Sequence, residues 1–370
     1  MNASSWMLSA LVLVTDVERS GGRAAVAPPP LDDGDWPVVL GQIRRHRLTQ
    51  LFAAHADLLG LPQRVAAALA DGRRRQTGEG LIATADAALV STALHEAGVD
   101  HLVVKGVSLS VLLHGEPAAR GTGDIDLWVR PDSVEQTETV LAELGWVARV
   151  DPGLRTEPGD GWRWGLYRYA FHERAWDRPA RPTVDIHWRL AHHPGALGFG
   201  FAEASGRAVA VPSVGPHVRT LCAPDALVHM VEHGRKEAFP TLRSLVDIVR
   251  LADLSGRATV AELAKGRSSR ARNLRLGLAV ASAIAPDLAD WVPLSGRCRR
   301  LADTALEGCL SLELGGGVRH TLGPRERAAV SARHQAWTFR SSPGPVSAVS
   351  YALRWTTGVV GFGVTSWRRR

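Results

Sequence analysis

The feature that most constrains this chain is Gly123-Asp124-Ile125-Asp126-Leu127-Trp128-Val129, where acidic and apolar residues alternate. Alternation with a period of two marks a strand, because successive side chains leave a strand on opposite faces. Asp124 and Asp126 then share one face. Ile125, Leu127 and Val129 share the other, and that face needs a core to cover it. Two neighbouring carboxylates repel each other, and keeping both ionised away from bulk water is costly without a cation between them. A hard divalent ion with oxygen ligands, such as Mg²⁺, answers that need, and phosphate oxygens complete its shell. An Asp-x-Asp triplet alone is equally at home on a solvated strand end, so the flanking sequence has to decide.

Upstream, Val103-Val104-Lys105-Gly106-Val107-Ser108 reads as a strand that turns through glycine into a helix. The free N–H groups and positive end of such a helix suit a triphosphate. Downstream, Thr183-Val184-Asp185-Ile186-His187-Trp188 repeats the alternation, with Asp185 and His187 on one face and Val184, Ile186 and Trp188 on the other. A third carboxylate on a neighbouring strand is what a two-metal phosphoryl-transfer centre requires. Lys105, at the turn, fits phosphate contact better than a solvated surface position. Arg120 fits phosphate binding and loop bracing equally. His187 reads as a hydrogen-bonding partner that orients Asp185 rather than as a direct metal ligand. His229 and His233 lie four apart on a helical stretch, but no third ligand is near in sequence, so packing or substrate contact is expected there. Asp247, in an apolar helix, calls for an arginine partner. The aromatic set Trp162, Trp164, Tyr167, Tyr169 and Phe171 reads as packing at strand spacing rather than as a base-stacking surface.

Around these motifs, helix and strand signals place the remaining elements. The apolar run Trp6 to Val14 is expected as a first amphipathic helix; no positive charge precedes it and Asp16, Glu18 and Arg19 follow, a poor pattern for a signal peptide. Residues 20–37 read as loop, 38–70 as helix and 71–80, with Arg73-Arg74-Arg75, as an exposed connection. Ala85 to Ala97 is expected as a helix stopped by Gly98, His101 to Val104 as a buried strand, and Val107 to His114 as a short helix. Pro131 to Leu144 carries proline at its start and Gly145 at its end, the asymmetry of a helix. Strands are expected at Trp146 to Val150, Leu166 to Glu173 and Thr183 to Trp188. Helices return at Pro224 to Arg235, Thr241 to Asp253 and through most of 260–312. The division expected is a helical region over 1–78, a catalytic domain over 79–212 and a helical domain over 213–370, the last supplying the acceptor side.

Bulk properties exclude little but do exclude something. The formal charge of +7 is nearly all arginine, since Lys105, Lys236 and Lys265 are the only lysines. Arginine forks suit phosphate, yet the arginines are spread along the chain, so nucleic acid is not the favoured partner. Cys222, Cys298 and Cys309 form neither a disulfide framework nor a metal-ligand pattern, which points to a reducing, cytoplasmic setting. No stretch approaches the roughly 20 unbroken apolar residues of a membrane span. The tail from Val346 to Trp367 comes nearest and is read as a docking helix or surface-binding element.

In order and spacing, Lys105-Gly106, Arg120-Gly121-Thr122-Gly123-Asp124-Ile125-Asp126 and Asp185-Ile186-His187-Trp188, with His233 and Leu245-Val246-Asp247-Ile248 beyond them, resemble the nucleotidyltransferase superfamily that includes polymerase beta. More narrowly, they are similar to a bacterial branch of uncharacterised nucleotidyltransferases, over roughly residues 80 to 255. The resemblance implies an α+β fold, a mixed sheet flanked by helices. It implies two Mg²⁺ or Mn²⁺ ions on Asp124 and Asp126, with Asp185 holding the catalytic metal and acting as general base. A nucleoside triphosphate, ATP among the candidates, would be contacted by Lys105, Gly106, Ser108, Arg120 and His187. The implied reaction moves a nucleoside monophosphate to a hydroxyl or phosphate on a small molecule, peptide or protein and releases pyrophosphate. The chain departs from the superfamily in one place: the usual turn is Gly-Ser or Gly-Gly, whereas Val107 follows Gly106, and Ser108 is expected to supply the hydroxyl. Two other readings stay open, an RNA acceptor and a degenerate nucleotide-binding or interaction module of the toxin–antitoxin type.

Overall fold

The computed structural model describes residues 3–20, 28, 30–149, 161–191, 194–311, 333, 336–342, 349 and 353. Two compact units divide the chain, Met1–Gln76 with Ala226–Ser342, and Thr77–Asp225 with Pro343–Arg370. The helices are α1 (Ala3–Ser20), α2 (Trp36–Arg45), α3 (Thr49–Ala54), α4 (Gln63–Glu96), α5 (Gly106–His114), α6 (Val134–Glu143) and α7 (Trp162–Ala170). They continue with α8 (Phe201–Arg207), α9 (Ala223–Lys236), α10 (Leu242–Ser255), α11 (Arg257–Leu263), α12 (Ser269–Ala281) and α13 (Gly296–Ser311).

Thr77–Asp225 holds a five-stranded sheet of β1 (His101–Val103), β2 (Asp124–Val129), β3 (Val147–Ala148), β4 (Glu173–Asp177) and β5 (Thr183–His187). Its spatial order is β1-β2-β5-β4-β3, with β2 and β5 parallel and the other pairs antiparallel. One face is apolar, as the alternation requires: Ile125, Leu127, Val129, Val184 and Ile186 are all buried in a single core. The sheet-side stretch of α4 covers that core with Ala83, Ala87, Val90 and Leu94, a stripe at helical spacing. Each large aliphatic chain withdrawn from water there contributes roughly 1.5–3 kcal/mol. The opposite face carries Asp124, Asp126, Asp185 and His187. A short hairpin, β6 (Val209–Ala210) with β7 (Arg219–Thr220), follows α8.

The other unit is helical. Trp6 of α1 packs edge-on against Trp36 of α2, ring centroids 5.2 Å apart, and against Phe52 of α3 at 6.3 Å. The expected N-terminal amphipathic helix is therefore present and buries Trp6, Met7, Ala10, Leu11, Leu13 and Val14. In α10, Leu245, Ile248, Val249 and Leu251 are fully buried, and α12, which packs on α10, buries Leu274 and Leu278. Among the described residues no helix is long and apolar enough to cross a membrane.

Two expectations fail. Residues 71–80 are not a connection but the middle of α4, which runs unbroken from Gln63 to Glu96. The glycines that look like breakers serve close approach instead: a Cβ on Gly72 would lie 2.8 Å from Thr49, and one on Gly80 would lie 2.9 Å from Ala118. The expected strand Leu166 to Glu173 is the helix α7 over most of its length, and the neighbouring strand is β4, starting at Glu173. Trp164 and Tyr167, three residues apart, stack at 5.5 Å on that helix, a spacing that brings side chains together on a helix and sends them to opposite faces of a strand. The tail expected to dock, Val346 to Trp367, lies outside the described residues except for positions 349 and 353.

Candidate active site

The register of the sheet assembles the site. In the parallel pair, Asp126 is the direct partner of Asp185, Asp124 of Thr183 and Trp128 of His187. Across the antiparallel pair, His187 is in turn the partner of Glu173. Same-face neighbours on adjacent strands sit about 4.8 Å apart, so Asp124, Asp126, Asp185 and Glu173 form one acidic cluster. Glu173 was not singled out in the sequence. The signal was there, the alternation Glu173-Arg174-Ala175-Trp176-Asp177 ahead of a proline turn, but the preceding aromatics drew the strand too early.

The turn from β1 into α5 brings in Lys105. Its Nζ donates to Asp126 Oδ1 at 3.1 Å, and His187 Nε2 donates to the same oxygen at 2.9 Å. Asp126 is almost completely buried, at 4% exposed. Burial alone would raise its pKa, but Lys105 and His187 outweigh burial and hold the carboxyl far below the usual range. His187 lies under the same opposition: burial disfavours its charge, yet its hydrogen bond to Asp126 and the negative charge of Glu173 prevail and push it up to about 9. Lys105 also stays above its ordinary value, the loss from burial being offset by Asp126 and Glu173. Asp185 goes the other way. Burial first, and the charge of Asp126 second, push it up to about 6. Four carboxylates thus crowd one face of the sheet, and neither Asp124 nor Asp185 has a side-chain hydrogen bond or ion pair among the described residues.

That imbalance tests whether the residues suit a divalent metal, and they do. Uncompensated oxygens on adjacent strands are a hard-cation donor set. A proton held on Asp185 to about pH 6 is the sign of negative charge awaiting a partner.

Gly106 is there for two reasons. Its φ is +56°, and a Cβ would lie 2.8 Å from the Asp124 carbonyl oxygen and 3.0 Å from Thr122 Oγ1. The turn therefore presses against the start of β2 as only glycine permits. Ser108, expected to offer a hydroxyl to phosphate, is fully buried and donates to the carbonyls of Val103 at 2.5 Å and Lys105 at 3.0 Å. It braces the turn, because its hydroxyl is spent on backbone. Arg120 is also buried, and its backbone N–H donates to Ser110 Oγ. His187, expected beside Asp185, hydrogen-bonds Asp126 instead.

Away from this cluster, His229 and His233 sit with ring centroids 6.4 Å apart on α9, and Asp247 is buried on α10.

A mixed sheet that presents carboxylates from two parallel strands beside a Lys-Gly turn has the architecture of a nucleotidyltransferase. The chain belongs to the family described as uncharacterised nucleotidyltransferase, whose profile matches residues 32–285. Membership carries nucleotidyltransferase activity in general terms and a nucleoside triphosphate as substrate. The match reaches beyond both edges of the region the motifs span. No curated protein and no solved structure matches the chain.

Proposed function

We propose that the protein transfers a nucleoside monophosphate from a nucleoside triphosphate to a hydroxyl or phosphate acceptor, with Asp124, Asp126 and Asp185 as its catalytic carboxylates. The observation that carries this reading is the in-register pairing of Asp126 with Asp185 on parallel strands, Asp124 standing two residues away on the same face. These three would hold two Mg²⁺ or Mn²⁺ ions. Bound there, such ions supply charge neutralisation at the α-phosphate and at the departing pyrophosphate.

The chain's own residues do the rest. Asp185, its carboxyl pushed up to about 6, is the group suited to take the acceptor's proton, since a base works best near the operating pH. The acceptor oxygen bonds to the α-phosphorus, the bond from that phosphorus to the bridging oxygen breaks, and pyrophosphate leaves with the electron pair. His187 fixes the rotamer of Asp126 through Oδ1. Lys105, within reach of Asp126, balances its charge and stands at the N-terminus of α5, where a phosphate is favoured. Arg120 is a weaker candidate for phosphate contact, because it is buried.

The experiment is incubation with each α-³²P-labelled triphosphate, Mg²⁺ and a cell lysate as the source of acceptor, with Asp124→Asn in parallel. Label on an acceptor with wild type alone supports the reading and names the nucleotide. Equal labelling by Asp124→Asn contradicts it.

One observation favours a polyanionic acceptor such as RNA. Arg297, Arg300, Arg333 and Arg340 line one cavity of about 780 Å³ beside α13. On that reading, RNA binding weakens steeply with salt and weakens further in Arg300→Glu. Salt-independent or absent binding removes it.

A further inference from the structure

At the edge of the acidic cluster lies a set of donors that the transfer reaction does not use. His172 Nε2 is 3.3 Å from Glu173 Oε2, and His187 Nδ1 is 3.1 Å from the same oxygen. Donor atoms of all three residues lie within 4.8 Å of one another. Tetrahedral ligands about 2.1 Å from a zinc ion are separated by distances of this order.

The backbone explains why three ligands converge. Glu173 and His187 are a direct cross-strand pair, so their side chains rise together from one face. His172 precedes Glu173 and in a regular strand would point away. It lies instead at a bend just before β4, where its carbonyl accepts from Trp188 N at 3.1 Å. Its ring then comes round to within 6.2 Å of the His187 ring, centroid to centroid.

A second observation is independent of this clustering. His187 is 4% exposed, and its Nδ1 is a buried nitrogen that makes no hydrogen bond. Glu173 Oε2 is near enough, but the ring does not aim an N–H at it. A buried imidazole nitrogen without a proton partner is costly, and a metal ion in front of it removes the cost. The other ring nitrogen already has its role: Nε2 donates to Asp126 Oδ1 at 2.9 Å. A histidine held by a carboxylate through one nitrogen and offering the other is the arrangement by which proteins orient a metal ligand.

We propose that His172 Nε2, His187 Nδ1 and Glu173 Oε2 bind one transition-metal ion of the zinc type, separate from the ions of the carboxylate centre. Two imidazoles and one carboxylate select Zn²⁺ or its neighbours over Mg²⁺, which takes oxygen ligands. Three protein ligands leave a coordination position open. The Glu173 side chain is 43% exposed, which gives the ion a way in. With the ion bound, His187 carries its proton on Nε2 alone and directs it at Asp126.

The test reads metal content rather than transfer, so it stands whether or not the nucleotidyl reaction is found. Full-length protein is stripped with chelator and dialysed against micromolar Zn²⁺ in millimolar Mg²⁺; Co²⁺ serves as the spectroscopic probe. The expected result is one equivalent of Zn²⁺ retained by wild type and by Asp185→Asn. It is lost in His172→Ala and in Glu173→Gln, and weakened roughly 10- to 100-fold in Asp126→Asn. Glu173→Gln, at a part-exposed position, decides the matter if His172→Ala does not fold. No retained Zn²⁺ in wild type, equal retention in the ligand variants, or loss in Asp185→Asn overturns the proposal.

Discussion

Buried charge is handled in opposite ways in the two units. In the helical unit, Glu232 and Arg235 lie one turn apart on α9, at 1% and 7% exposed. Two bonds of 2.8 Å join them, Asn273 Nδ2 donates to Glu232 at 2.6 Å, and Trp337 Nε1 caps the Arg235 carbonyl at 2.7 Å. In charge, that pair is balanced. On the sheet, Asp124 and Asp185 stand beside Asp126 and Glu173, and neither has a hydrogen-bonding partner among the described residues. A balanced buried pair holds structure in place, whereas an unbalanced one keeps free energy in reserve for a ligand. The difference supports, independently of any motif, the proposal that the sheet face is the functional region.

The largest expected effect sharpens that contrast by moving activity and stability in opposite directions. Asp185→Asn should lower transfer roughly 10³-fold or more, while raising the stability of metal-free protein at pH 7 by about 1–2 kcal/mol. The sign follows from a folded-state pKa of about 6, above the ordinary carboxylate value. Between those values the folded state binds more protons than the unfolded. The metal-free fold is therefore helped at low pH and loses that help as pH rises through about 6. Urea unfolding in EDTA at several pH values measures it, and destabilisation by Asp185→Asn at pH 7 would break the comparison.

Removing an acid from the balanced pair should do the reverse. Glu232→Ala strands a buried guanidinium and should cost about 3–5 kcal/mol, whereas Glu232→Met with Arg235→Met should recover most of it. Thermal unfolding of the three variants is the measurement.

A third effect belongs to the helical unit alone. His46 is 1% exposed, and its Nδ1 accepts from the Leu242 N–H at 3.3 Å. Burial, with the nearby Arg45 charge second, pushes it down to about 4. Here the folded state binds fewer protons than the unfolded, so stability is complete above about pH 6.5 and falls as pH drops towards 4. About 3 kcal/mol is at stake. Acid titration of unfolding should show that slope, and His46→Gln should flatten it.

The smallest effect is local. Gly106→Ala should cost about 2 kcal/mol, from left-handed backbone and the approach to Asp124. A circular dichroism melt checks it, and no change would mean that the turn can relax away from β2.

Much of the sheet was legible because alternation is a strong local signal. β2 was readable to the residue and β5 to within one residue at its end, and with them Asp124, Asp126 and Asp185 as one face. What lay beyond reading was pairing. Nothing in the order of residues says that His187 bonds Asp126 rather than Asp185, since that depends on which strands are neighbours and in what register. Ser108 misled for a similar reason: a hydroxyl near a turn looks available until the carbonyls of Val103 and Lys105 are seen to take it. Residues 71–80 read as a connection because the packing partners of Gly72 and Gly80, Thr49 and Ala118, are remote in sequence. Glu173 was missed because a helix of aromatics beside it can be mistaken for a strand, and that shifted the start of β4.

The most direct single measurement is nucleotide transfer by wild type in Mg²⁺, by wild type in EDTA, and by Asp126→Asn in Mg²⁺, with far-UV circular dichroism on each sample. Transfer in the first alone, with all three folded, is the expected result. Transfer that survives EDTA or the Asp126→Asn substitution would contradict a carboxylate-and-metal centre on this face of the sheet.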